Sequence, residues 1–63
     1  MNWMRRANDW ATTGDSSGIY VVERDSGAWL IDSRSGKPRY RGPFGGPAAA
    51  MEAATRLPGR VAA

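Results

Sequence analysis

Arg24, Arg34, Lys37, Arg39 and Arg41 crowd into the middle of the chain, with Tyr20 just upstream. A guanidinium pairs a phosphate bidentately and reads a guanine edge, and an ammonium adds a mobile point charge. An aromatic ring among such groups offers a stacking or packing surface. The chemistry this set suits is recognition of an anionic partner rather than bond making. Nothing else in the chain supplies a reacting group. There is no Cys and no His, so thiolates, disulfides and the commonest general base are excluded. Ser16, Ser17, Ser26, Ser33 and Ser35 lie in turn-like stretches without a base to activate them. The carboxylates are scattered singly, which suits neither acid–base work nor a metal. Ser35–Gly36–Lys37 resembles the end of a phosphate-binding loop, but the earlier glycine is missing and the tripeptide sits between two predicted strands. It reads as a turn. No catalytic residue, cofactor or metal site is expected.

The charge is distributed unevenly around that cluster. The net charge is +3 and the pI about 10.2. Residues 1–33 carry three basic side chains against five acidic ones, a net of −2; residues 34–63 carry six against one, a net of +5. A basic half suits an anionic partner.

Three strands are predicted to position these side chains. Ile19–Glu23 and Ala28–Asp32 are rich in β-branched and aromatic residues, and Lys37–Arg41 forms the third strand, with Pro38 at its start on a sheet edge. Asp25–Ser26–Gly27 and Ser35–Gly36 make the turns. With Ser35–Gly36 as a two-residue loop, Ile31 faces Tyr40 and Leu30 faces Arg41. With Arg24 opposite Ala28, Val22 faces Leu30 and Tyr20 faces Asp32. Alternation then yields a core face of Ile19, Val21, Trp29, Ile31 and Tyr40, and an open face of Tyr20, Val22, Arg24, Leu30, Asp32, Arg39 and Arg41.

Helices are expected on either side. Trp3, Met4, Ala7, Trp10 and Ala11 fall on one stripe of an amphipathic helix over Met1–Ala11, followed by a polar linker to Ser17. Gly42–Pro43 breaks the third strand, Pro47 suits a first helical position, and Ala48–Leu57 forms a helix stopped by Pro58–Gly59. Its alanines allow close approach to the sheet, with Met51, Leu57 and Phe44 meeting Trp29 and Ile31. The expected fold is α+β: a three-stranded antiparallel meander on a C-terminal helix, with a short N-terminal amphipathic helix. Residues 1–17 form the helix and linker, and 18–63 the β-β-β-α unit, within one domain.

The chain has 63 residues, near the lower limit for an unstapled core, so a homodimer through Trp3, Met4 and Trp10 of the N-terminal helix is expected to add stability. No apolar run is long enough to span a membrane, and the first residues lack a secretory pattern, which makes a cytoplasmic protein the expectation.

The strand pattern, with Gly27-x-Trp29-Leu30-Ile31, a basic third strand, Gly42–Pro43–Phe44 and an Ala-rich helix, resembles two groups. One is the meander-plus-helix DNA-binding domain of tyrosine-recombinase arm-binding modules and plant ethylene-response-type factors. The other is a set of short bacterial proteins of unknown function. The likeness covers about Ile19–Leu57. In the first group the uncovered sheet face enters the major groove, which would assign contacts to Arg24, Arg39 and Arg41. Those domains usually carry Thr or Ser as the helix cap, where this chain has Gly45–Gly46–Pro47. The leading expectation is a double-stranded DNA-binding module, regulatory or accessory to recombination, with Tyr20, Arg24, Arg34, Lys37, Arg39 and Arg41 at the contact. The alternative is a protein-interaction module using Trp3, Met4 and Trp10 or the open sheet.

Overall fold

The apolar residues at the N-terminus form a hairpin, not a helix. The computed structural model describes residues 1–14 and 17–57. In it β1 (Asn2–Arg5) pairs antiparallel with β2 (Asp9–Thr13), Trp3 opposite Thr12 and Arg5 opposite Trp10. The turn is closed by the Arg6 amide donating to the Asp9 carbonyl at 2.8 Å and by the Arg6 guanidinium gripping both Asp9 carboxylate oxygens at 2.6 Å. A helix of two or three turns has little intrinsic stability in water, and Trp3, Asn8, Asp9 and Trp10 lower its propensity further. The hairpin also puts Trp3 and Trp10 on one face, where they pack against the core, so it satisfies the apolar pattern as well as a helix would.

The chain continues through β3 (Ile19–Arg24), β4 (Gly27–Asp32) and β5 (Arg39–Phe44) into α1 (Pro47–Ala54). All five strands form one antiparallel meander in the order β1-β2-β3-β4-β5. The expected three-stranded sheet with an N-terminal helix is therefore replaced by five strands and one C-terminal helix. Where β2 leaves β3, the buried Thr12 hydroxyl takes over the ladder, accepting from the Ile19 amide and donating to the Ile19 carbonyl, each at 3.1 Å.

The first of the expected turns is one residue shorter than its sequence suggests. Gly27 is not part of it: Gly27 pairs with Arg24, leaving Asp25–Ser26 as a two-residue loop. A β-carbon on Gly27 would stand 2.5 Å from the Phe44 carbonyl oxygen, and its φ is +131°. The glycine is there because β5 passes against β4, not because the chain turns. Val21 consequently faces Leu30, and Val22 faces Trp29. The β4–β5 register agrees with expectation, with Leu30 opposite Arg41 and Ile31 opposite Tyr40, but pairing stops at Asp32 and Arg39. The expected two-residue Ser35–Gly36 loop and a third strand over Lys37–Arg41 give way to a connection over residues 33–38 and a strand that starts at Arg39. The connection is turned by the Gly36 amide donating to the Ser33 carbonyl at 3.1 Å. Beyond that point Gly42–Pro43 does not end the strand. The two residues bulge opposite Trp29, through a cis peptide bond, and pairing resumes at Ala28 and Phe44.

The core lies between the sheet and α1. Ile19, Val21, Ala28 and Leu30 meet Ala50 and Ala54 in a fully buried cluster, flanked by Trp3, Trp10, Phe44, Met51, Ala53 and Leu57. The helix begins at Pro47, as expected, and ends at Ala54, with Thr55–Leu57 continuing as a tight turn. Small side chains on α1 let its backbone come close to β3 and β4. The expected contact of α1 with Trp29 and Ile31 is corrected to one with Leu30 and its neighbours, because the one-residue shift turned Trp29 and Ile31 to the other side. The helix stop assigned to Pro58–Gly59 and the tail from Arg60 lie outside the described residues.

Candidate binding face

The same shift divides the cluster of basic residues. Directly opposite residues share a face of an antiparallel sheet. Tyr20, Val22 and Arg24 therefore stand with Trp29, Ile31 and Tyr40 on the side away from α1. Leu30, Asp32, Arg39 and Arg41 stand on the helix side. The expected single face bearing Arg24, Arg39 and Arg41 does not exist.

What the open face carries is a groove of about 300 Å³ lined by Val22, Arg24, Ser26, Trp29, Ile31 and Tyr40. Its walls are mainly apolar. Trp29 is fixed at one end, where its indole N–H donates to the Ser26 hydroxyl at 3.0 Å, and its ring lies over the bulge at Gly42. Tyr40, on edge strand β5, is 62% exposed. Arg24 makes no ion pair or side-chain hydrogen bond among the described residues, so its guanidinium is open to a ligand.

The other end of the open face is capped by the chain itself. The Arg6 guanidinium lies over the Tyr20 ring, 5.3 Å from its centroid, while bound to Asp9. The hydrogen bonds to Asp9 raise the Arg6 pKa, and those same bonds hold the Asp9 carboxyl below its ordinary value. Tyr20, expected at a DNA contact, is thus under an arginine of its own chain.

Arg34 is held in the structure. Its guanidinium makes two bonds of 2.9 Å to the Asp32 carboxylate, and its amide donates to the same group at 3.1 Å. The two side chains are only 15% and 18% exposed. The side-chain bonds from Arg34 lower the Asp32 pKa and raise that of Arg34, so the pair is ionised at neutral pH. Arg34 thus locks the β4–β5 connection. Lys37 is exposed in that connection, and Arg39 and Arg41 are exposed on edge strand β5, beside the helix layer.

The expected interface residues also separate. Met4 is 49% exposed on the open side, whereas Trp3 and Trp10 pack against the core on the helix side, with Arg5 stacked 4.7 Å from the centroid of Trp10. Trp29, Ile31 and Ser26 are absent from the expected site, whereas Val22 is on the expected open face but is assigned no contact there. The signal that would have found them is Asp25–Ser26 read as a complete two-residue loop.

Among the described residues no cluster of acidic side chains could hold a metal, and no helix is long and apolar enough to cross a membrane. The chain matches no family model, no curated protein and no solved structure.

Proposed function

We propose that this chain is a non-enzymatic protein-interaction module whose open sheet face receives a segment of another protein. The observation that carries this reading is the groove between Trp29 and Tyr40, with the unpaired Arg24 on its wall. Aromatic and arginine side chains are the types that anchor protein interfaces. The occupant carries an apolar or aromatic side chain to fill the groove, followed by a carboxylate to pair with Arg24. Fixing the Trp29 ring by Ser26 and the bulge lowers the ordering cost of binding.

Duplex DNA remains the competing partner, supported by the net charge of +3 and by the exposed Lys37, Arg39 and Arg41. These residues do not share a face with Arg24, so a major-groove contact would use the β5 edge rather than the open sheet.

Peptides selected by display on the folded chain test the two readings together with a mixed-sequence duplex. Binding followed by Trp fluorescence should fall at least about tenfold on Tyr40→Ala, the usual size of an anchor-residue loss, and stay unchanged on Arg39→Gln with Arg41→Gln. Duplex binding that is salt-dependent, lost in the double Arg variant and indifferent to Tyr40→Ala would overturn the protein reading in favour of DNA.

A further inference from the structure

The two edges of the sheet are not equivalent. On β5, Pro43 has no amide hydrogen and the Gly42–Pro43 bulge interrupts the edge. On β1 nothing interrupts it: Asn2–Arg5 contains no proline, no glycine and no bulge.

The parity of β1 follows from its turn. The Arg6 amide donates to the Asp9 carbonyl, so the backbone groups of Arg6 face β2. In an antiparallel ladder those groups alternate, so Met4 and Asn2 also bond inward, while the N–H and C=O of Trp3 and Arg5 point away from the sheet. These four outward groups have no partner strand among the described residues.

We infer that two copies of this chain join β1 to β1, antiparallel about a two-fold axis, with Met4 opposite Met4 of the second copy. This register alone lets every outward group within Asn2–Arg5 find a partner inside the other copy's strand: Trp3 exchanges both bonds with Arg5 of the second copy, and Arg5 with its Trp3. Centring on Trp3 instead would pair Arg5 with Met1, outside the strand. Centring on Arg5 would set two guanidinium groups face to face.

The side chains agree with that register. Met4, half exposed on the open face, gains an apolar neighbour in the closely spaced, non-hydrogen-bonded position. On the helix side, Trp3 of each copy lies beside Arg5 of the other, which already stacks on an indole in its own chain. The charge on β1 thus meets aromatic rings and not its own kind. Only one edge can pair, so the assembly closes at two copies rather than growing into a fibre. The pairing makes a ten-stranded sheet out of two small cores, a common route to stability for a chain of this size.

The absence of cysteine makes the test clean. Met4→Cys should form an intermolecular disulfide under oxidised glutathione within the time that Tyr40→Cys, exposed on the opposite edge strand, forms little. Sedimentation of the native chain should show a concentration-dependent shift from 6.8 kDa to twice that mass. Met4→Lys places like charges across the axis and should leave monomer, as should Arg5→Pro, which removes an outward amide and spares the β1–β2 ladder. Arg5→Gln should still dimerise. Circular dichroism of each variant checks that the sheet is kept. A native chain that stays monomeric to about 1 mM, the weak end of specific association, overturns the inference. So does a dimer that folded Met4→Lys and Arg5→Pro leave intact.

Discussion

Trp29 lies directly over Gly42: a β-carbon on that glycine would stand 3.2 Å from the Trp29 ring and 2.9 Å from the Ala28 carbonyl oxygen. The bulge in β5 and the orientation of the groove's main aromatic are therefore one feature. Gly42 also has a φ of +136°, which a side chain would strain.

Gly42→Ala should accordingly cost about 1–3 kcal/mol of stability and weaken peptide binding beyond what the lost stability explains. Thermal melts and peptide titrations on the same samples would show both effects. Gly36→Ala is the control, because Gly36 shares the positive φ but has open space around it and no contact with the groove. It should reduce stability only.

Acid should weaken the chain through Asp32. The Arg34 bonds lower its folded pKa below the ordinary 3.8. The resulting stability is present in full above the unfolded value and is lost as pH falls through the folded one. At neutral pH, Arg34→Gln should destabilise by about 1 kcal/mol, a shift of several degrees in Tm for a domain this small. Below the folded pKa of Asp32 the variant and the native chain should converge. Equal differences at both pH values would show that the ion pair contributes nothing.

Thr12→Val keeps the shape of the buried side chain but removes the hydroxyl that serves both polar groups of Ile19. Leaving a buried donor and acceptor unpaired should cost about 1–3 kcal/mol. The Ile19 amide should also lose hydrogen-exchange protection more than the amides of β4. Unchanged protection would mean that water replaces the hydroxyl.

Much of the sheet was legible in the sequence, and the reasons for the failures are physical. The strands from Ile19 to Asp32 follow from β-branched runs, and the register drawn from Ser35–Gly36 puts Leu30 opposite Arg41 as found, although the turn itself is wider, closed from the Gly36 amide to the Ser33 carbonyl. The N-terminal pattern was ambiguous because Trp3 and Trp10 fall on one face either as a helical stripe or across a hairpin with an Arg6–Asp9 closure. Gly27 misled because a glycine beside Asp and Ser looks like a turn, whereas its cause is a long-range contact with Phe44. A single residue of slip then moved Tyr20, Val22 and Arg24 to the opposite face from Arg39 and Arg41. Local patterns carry no information about that approach of β5, so the composition of the open face could not be read in advance. What the composition did convey, a chain without His or Cys and with a basic second half, does not say which face carries those charges.

The groove, and the separation of Arg24 from Arg39 and Arg41, depend on the register of β3 against β4, and nuclear Overhauser contacts across that hairpin test it most directly. Contacts of Val21 with Leu30, of Val22 with Trp29, and of the Tyr40 ring with Ile31 are expected, placing the groove on one side and Arg41 on the other. Contacts of Val22 with Leu30 and Tyr20 with Asp32 would contradict it, returning Arg24 to the face of Arg39 and Arg41.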